Sequence, residues 1–471
     1  MTKDTERFLT WGFSSLKFIR NMYKVGLYTL GCKVSQYETE AIAEAFERRG
    51  CLVRPFEGKN DIYVINTCTV TAESDRKSRQ FVRRAIKQNP GAVVAVIGCY
   101  SQRSPSELLA ISGVDIVIGT DRKLAVVDKA IEILEERNRG LAARQFSYIT
   151  DVGAAGFEPM KITKAPRTRA YVKIEDGCEC RCTYCAISDA RGRVRSKARK
   201  DVLAEVKALF DSGIGEVVLT GIETGSYGRD FSEKYGLADL ISELDGLCPG
   251  GKIRLGSLSP ELIGREFVEK VKNTRILLPH FHLSIQSGSD KILALMKRRY
   301  NISQAVENIE RLREAFPKAN FTTDLMVGFP GESEEDFLAT VDFVSKVMLL
   351  DAHVFTYSKR KGTPAAEFCG QVPEEVKKER SRRLISHKNK IRDSLLKEIC
   401  ASGEPVLAIA ESIDSDGKTA MHSESFVEIK LNEKVLSKDF DNMQGKWIAV
   451  KPVSSENGIL YCEKLDFVNK N

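Results

Sequence analysis

The chain has 471 residues, 42% hydrophobic and 29% charged, with a net charge of +7, which is ordinary globular composition with room for two or three cores. No apolar run reaches the roughly 18 residues a membrane helix needs, and the opening stretch lacks a signal-peptide core. No membrane role is therefore expected, and the location is expected to be cytoplasmic. In that setting, twelve cysteines are expected to be metal ligands or buried thiols rather than disulfides.

Residues 1–22 read as an extension. From residue 23, the apolar runs VGLYTL (25–30), DIYVIN (61–66) and AVVAVIG (92–98) predict buried strands. ETEAIAEAFERRG (38–50) sets Ala41, Ile42, Ala45 and Phe46 on one helical stripe, with Gly50 as the stop. Strands alternating with helices predict an N-terminal open parallel α/β domain over 23–145. Each of the three strands runs into a cysteine: Cys32, Cys68 and Cys99. Carboxyl ends of parallel strands share one edge, where ligands bind. These cysteines are therefore expected to converge, although 36 and 31 positions separate them.

Residues 146–170 show no sustained period and read as a basic linker. Over 161–200, twelve Lys or Arg stand against four Asp or Glu, an excess that suits a polyanionic partner. A second βα series fills 171–400, with strands at YVKIED (171–176), EVVLTG (216–221), KIRLGS (252–257), HFHLSIQ (280–286), FTTDLMVGFP (321–330) and DAHVFTYS (351–358). Six units predict a partial (βα)6 barrel rather than the closed eightfold one. A charged helix over 373–399 ends it. Residues 401–471, with SDG and ENG turns, predict a small β domain.

Directly after the first barrel strand comes DGCECRCTYC (176–185), at the face where such barrels hold their chemistry. Cys178, Cys182 and Cys185 form C-x3-C-x2-C. Three soft thiolates suit an iron–sulfur cluster or zinc, and in a four-iron cluster they leave one iron open. Cys180 is either a spare thiol or a ligand in the alternative register C-x-C-x2-C.

Around this motif stand, in order, TLGCKVSQYETE (29–40), NTCTVT (66–71), VIGCYSQ (96–102), KIEDGCECRCTYC (173–185), LTGIETGSYG (219–228), HFHLSIQSGSD (280–290), TTDLMVGFPGE (322–332) and KRKGTPAA (359–366). Together they resemble the radical S-adenosylmethionine (SAM) superfamily, and within it the methylthiotransferases, most closely those acting on threonylcarbamoyladenosine in tRNA. The resemblance implies two [4Fe-4S] clusters. One, on Cys178, Cys182 and Cys185, chelates SAM; the other is on Cys32, Cys68 and Cys99. It further implies insertion of a 2-methylthio group beside the tRNA anticodon, a reducing donor such as a flavodoxin or ferredoxin, a monomer, and a TRAM-like C-terminal domain. It also suggests that residues 1–22 are a start assigned too early. Ser284, where proline is usual in the isopentenyladenosine and ribosomal-protein branches, favours the threonylcarbamoyl branch. A non-catalytic iron–sulfur RNA-binding protein is the alternative of a different class.

Other residues complete the expected site. Thr220 and Gly221 end the second barrel strand, Gln286 and Ser287 the fourth, and Gly328 follows the fifth; all are expected to contact the cofactor. His280 and His282 point to one side of their strand, in hydrogen-bonding rather than catalytic roles. Arg167, Arg169, Arg191, Arg193 and Arg195 are expected to contact RNA phosphates. The tail over 401–471, with eight Lys, no Arg and twelve Asp or Glu, is poorly charged for that task.

Overall fold

Two strands of β-branched residues buried on both faces, β3 (Ile62–Thr67) and β4 (Val93–Gly98), form the centre of the first sheet. In the computed structural model, which describes residues 22–465 apart from 143, 166–167 and 435–436, this sheet has the order β2-β1-β3-β4-β5-β6. Its other strands are β1 (Lys24–Thr29), β2 (Leu52–Arg54), β5 (Ile116–Ile118) and β6 (Phe146–Tyr148), and every pairing is parallel. Residues 1–21 and Arg167 lie outside the described residues. Alternate residues face opposite ways. Ile62 and Val64 pack with Ile42, Phe46 and Val126 on one face, while Tyr63 and Ile65 pack with Val82 and Ala85 on the other. The sheet runs into the stretch read as a linker, because β6 adds a sixth strand at its edge.

The register sets Thr29 opposite Asn66 and Thr67 opposite Gly98, so the carboxyl ends of β1, β3 and β4 are level. Gly98 turns the chain there with φ 101°, and a Cβ would lie within 2.7 Å of Asn66 Oδ1 and Thr67 O. Only glycine fits.

The second half is the expected six-stranded partial barrel. β7 (Arg169–Lys173), β10 (Glu216–Thr220) and β11 (Ile253–Leu255) form one parallel sheet; β12 (His280–Gln286), β13 (Asn320–Val327) and β14 (Asp351–Thr356) form another. Bridges Ile253–Leu277 and Leu258–Leu283 join them. A two-stranded ribbon, β8 (Glu175–Asp176) with β9 (Arg195–Ser196), closes the cysteine loop at its base. The helix Glu374–Ser402 leads to a closed five-stranded barrel, β15 to β19, over Val406–Ile413, Lys418–Ser423, Glu428–Lys434, Trp447–Glu456 and Ile459–Lys464. Trp447 Nε1 donates to Gly215 O at 2.8 Å. Arg254 pairs with Glu216 at 2.7 Å and donates to the carbonyls of Ser423 and Glu424. These contacts seat the small barrel against the large one.

Candidate functional site

The cysteine loop starts at Gly177, where φ is 89° and any Cβ would collide with the Arg193 carbonyl. The close return of β9 therefore demands glycine. Backbone N–H groups two residues ahead point at the sulfurs: Cys180 N donates to Cys178 Sγ at 3.5 Å and Ile187 N to Cys185 Sγ at 3.4 Å. Arg298 Nη1 donates to Cys182 Sγ at 3.4 Å. Such donors favour thiolates and tune iron–sulfur clusters. Burial, with the neighbouring Cys182 and Asp189, pushes the Cys185 thiol up to about 11, so ligation by a metal is what would deprotonate it. Cys180 lies close enough to hydrogen-bond the Cys178 thiol, which draws Cys180 down to about 6.

All four cysteines line a cavity of about 230 Å³, shared with Tyr184, Glu223, Gln286, Arg298 and Asp324. Gln286 sits at a bulge in β12 with φ 72°, a costly conformation for a side chain of its kind. Its buried Oε1 has no hydrogen-bond partner. Glu223 is also buried, which pushes its carboxyl up to about 8, while Ser259 N donates to it at 2.9 Å. A strained amide and a carboxyl poised to gain charge are what a cationic, polar ligand would satisfy.

The other three cysteines follow β1, β3 and β4. Cys32 caps the helix Lys33–Arg48, Val70 N donates to Cys68 Sγ at 3.5 Å, and Arg191 Nε donates to Cys99 Sγ at 3.3 Å. Behind Cys99 lies a fully buried charge network. Glu38 accepts from Arg191 at 2.7 Å, Lys123 at 3.0 Å and Lys173 at 3.1 Å. Asp176 accepts from Arg191 at 3.1 Å and Lys173 at 3.2 Å, with Arg195 at 3.7 Å. Four cations thus meet two carboxylates in direct contact, with the Glu158 carboxyl acting on Lys123 and Lys173 from farther off, and uncompensated buried charge is costly. An anionic thiolate cluster on Cys32, Cys68 and Cys99 fits that excess. Cys32 and Cys68 line a second cavity of about 590 Å³ with Lys33, Thr220, Gly221, His280, His282 and His353. Val70 and Asp324 border both cavities.

Several expected roles need correction. Arg191 and Arg195 are buried ion-pair members, so no phosphate reaches them; alternating charges do not reveal burial. Arg169 is held by Glu216 at 3.4 Å and by Glu411, which leaves Arg193 as the exposed arginine of this group among the described residues. Ser287 is buried in a turn, accepting from Ser289 N at 3.2 Å. Gly328 packs on the Lys377 side chain and donates to Glu332 at 2.6 Å. Thr220 and Gly221 face the cavity of Cys32 rather than that of Cys178. His280 and His282 each reach Thr322 Oγ1 at 2.9 Å. Glu223 and Arg298 were not singled out by motif; Glu223 stood unread inside LTGIETG.

A partial barrel with C-x3-C-x2-C at its mouth defines a radical SAM fold. Residues 172–344 match the family described as the Radical SAM superfamily, and residues 24–119 match uncharacterized protein family UPF0004. The fold is shared with the radical SAM methyltransferase TsrM from Kitasatospora setae (TM-score 0.52, 16% identity, 73% of this chain and 77% of that one). The threonylcarbamoyladenosine tRNA methylthiotransferase of Bacillus subtilis is 41% identical over 91% of this chain and 94% of its own length. That of Thermotoga maritima is 35% identical over 94% and 97%. The tRNA-2-methylthio-N(6)-dimethylallyladenosine synthase of Carboxydothermus hydrogenoformans is 33% identical over 90% and 95%. The chain belongs to the radical SAM tRNA methylthiotransferase family.

Proposed function

We propose that this protein adds a methylthio group at C2 of N6-threonylcarbamoyladenosine beside the tRNA anticodon. The observation that supports the mechanism is that Cys178, Cys182 and Cys185 line one cavity and Cys32 and Cys68 another, and that the two cavities share Val70 and Asp324. A four-iron cluster on Cys178, Cys182 and Cys185 would supply reductive cleavage of SAM, and a second on Cys32, Cys68 and Cys99 the sulfur.

The chain's own groups bind and orient. Glu223 would receive a cationic group of SAM, adding to the counter-charge that Arg298 gives its buried carboxyl. Gln286 offers its unpartnered amide oxygen to the same ligand. Arg298 holds the Cys182 sulfur while its other nitrogen donates to Ser259 and to the Ser284 carbonyl, both at 2.8 Å. Tyr184, Met326, Phe355 and Tyr357 give the cavity an apolar wall that keeps water from a reactive intermediate. The base must enter unstacked, as a loop nucleotide can. Among the described residues no helix is long and apolar enough to cross a membrane. Both cysteine sets lie on one chain, so a monomer suffices, with a flavodoxin- or ferredoxin-class donor.

The reading is tested by incubating the reconstituted protein with SAM, dithionite and anticodon stem-loops bearing either threonylcarbamoyl- or isopentenyladenosine. Mass spectrometry should find the methylthio product on the threonylcarbamoyl substrate. Product confined to the isopentenyl substrate contradicts the assignment.

A further inference from the structure

The cavity beside Cys32 has two paired carboxylates and one cation without an ion pair. Asp324 is held between His353 Nδ1 at 3.1 Å and His282 Nε2 at 3.3 Å, and Asp351 by Lys388 and by Arg392 at 3.7 Å. Glu428 stands exposed on the small barrel at the cavity's edge. Lys33, by contrast, is only partly exposed, lines the cavity, and makes no side-chain hydrogen bond or ion pair among the described residues, although against burial, Arg254 and Arg169 the charges of Glu216 and Asp324 favour its ammonium. It is the first residue of the helix Lys33–Arg48, whose amino end carries partial positive charge. One further donor in the wall is unsatisfied: Arg392 has no partner for its buried Nε. His280, 2% exposed and stacked on Phe426 at 4.5 Å, backs the cavity from the strand side.

We propose that Lys33, supported by Arg392, forms the subsite for the carboxylate of the threonylcarbamoyl group. This deepens the substrate reading above and rests on it. Three features recommend an anion of this kind. Lys33 directly follows Cys32, and both line the same cavity. The N6 substituent and C2 sit on either side of N1 of the adenine, which brings the threonyl arm near the same cysteine. An isopentenyl group has no charge to offer, so the subsite discriminates by leaving Lys33 unpaired when the wrong base enters.

The test uses the reconstituted protein and two stem-loops, one bearing threonylcarbamoyladenosine and one its methyl ester, with affinities read by fluorescence anisotropy at fixed salt. The wild type should bind the acid about tenfold or more tighter than the ester, the range expected of a charged hydrogen bond. Lys33→Met should abolish that preference and Lys33→Arg should retain most of it. Equal affinities in the wild type overturn the subsite, and a preference that survives Lys33→Met overturns the assignment to Lys33. If Lys33→Met fails to hold its iron, the wild-type acid–ester comparison and Arg392→Met, which should lower the preference, decide instead. Methylthiolation of the acid without any acid–ester preference sinks the subsite alone. Product only on an isopentenyl stem-loop sinks the substrate reading and the subsite with it.

Discussion

Arg191 donates from Nε to Cys99 at 3.3 Å and from Nη1 to Glu38 at 2.7 Å. One guanidinium, six residues after Cys185, thereby ties the barrel's cysteine loop to the cysteine edge of the first sheet. Removing it leaves Glu38 and Asp176 buried with fewer donors. Arg191→Met should cost about 3–5 kcal/mol and lower iron content. Denaturant melts and iron analysis check this; unchanged stability would mean that Arg191 does not tie the two halves together.

Arg193 is different, since it is exposed and donates only to the Gly153 carbonyl at 3.1 Å. If it meets an RNA phosphate, Arg193→Ala should reduce the magnitude of the log-salt slope of tRNA binding by about 0.7–0.9, one contact's worth. In the acidic tail, Glu411 is engaged by Arg169 and by His422 at 2.9 Å.

Gln286 provides a case where stability and function part. Gln286→Gly relieves the φ of 72° and should raise stability by roughly 1 kcal/mol, while weakening SAM binding through loss of the amide. Thermal melts with equilibrium dialysis of SAM test both. A variant that binds SAM as tightly as the wild type would show the amide is not used.

His280 predicts a pH effect. Burial and the nearby Arg254 hold its pKa well below the usual imidazole value. A depressed folded-state pKa means the unfolded chain takes up the proton first, so stability is complete above about 6.5 and falls as pH drops through it, by up to about 1.4 kcal/mol per unit. His353, raised by its hydrogen bond to Asp324, works in the opposite sense: its contribution is complete below the ordinary imidazole value and is lost as pH rises through its own. It is exposed, so its share is small. Melting temperatures between pH 7.5 and 5.5 should fall more in the wild type than in His280→Gln.

The strands ending at Cys32, Cys68 and Cys99 were legible because βα periodicity is local and the turn to the next helix follows each strand directly. The edge strands Leu52–Arg54 and Phe146–Tyr148 were not, since three half-exposed residues carry no period. Arg191 and Arg195 misled, because alternating charge looks the same on a surface and in a salt-bridge network. Glu38, Lys123 and Lys173 come together from three remote stretches, and no spacing announces that. The stack of His280 on Phe426 joins two domains and is equally silent in one dimension. Gln286 was found by motif, but its strain was not.

The central claim is that Cys32, Cys68 and Cys99 hold a cluster distinct in task from that of Cys178, Cys182 and Cys185. Reconstituted wild type should carry about eight irons. Cys32→Ala should keep about four, still cleave SAM to 5′-deoxyadenosine under dithionite, and form no methylthio product. Loss of 5′-deoxyadenosine in that variant, with the Cys178 cluster intact by iron analysis, would contradict the division of labour between the two sets.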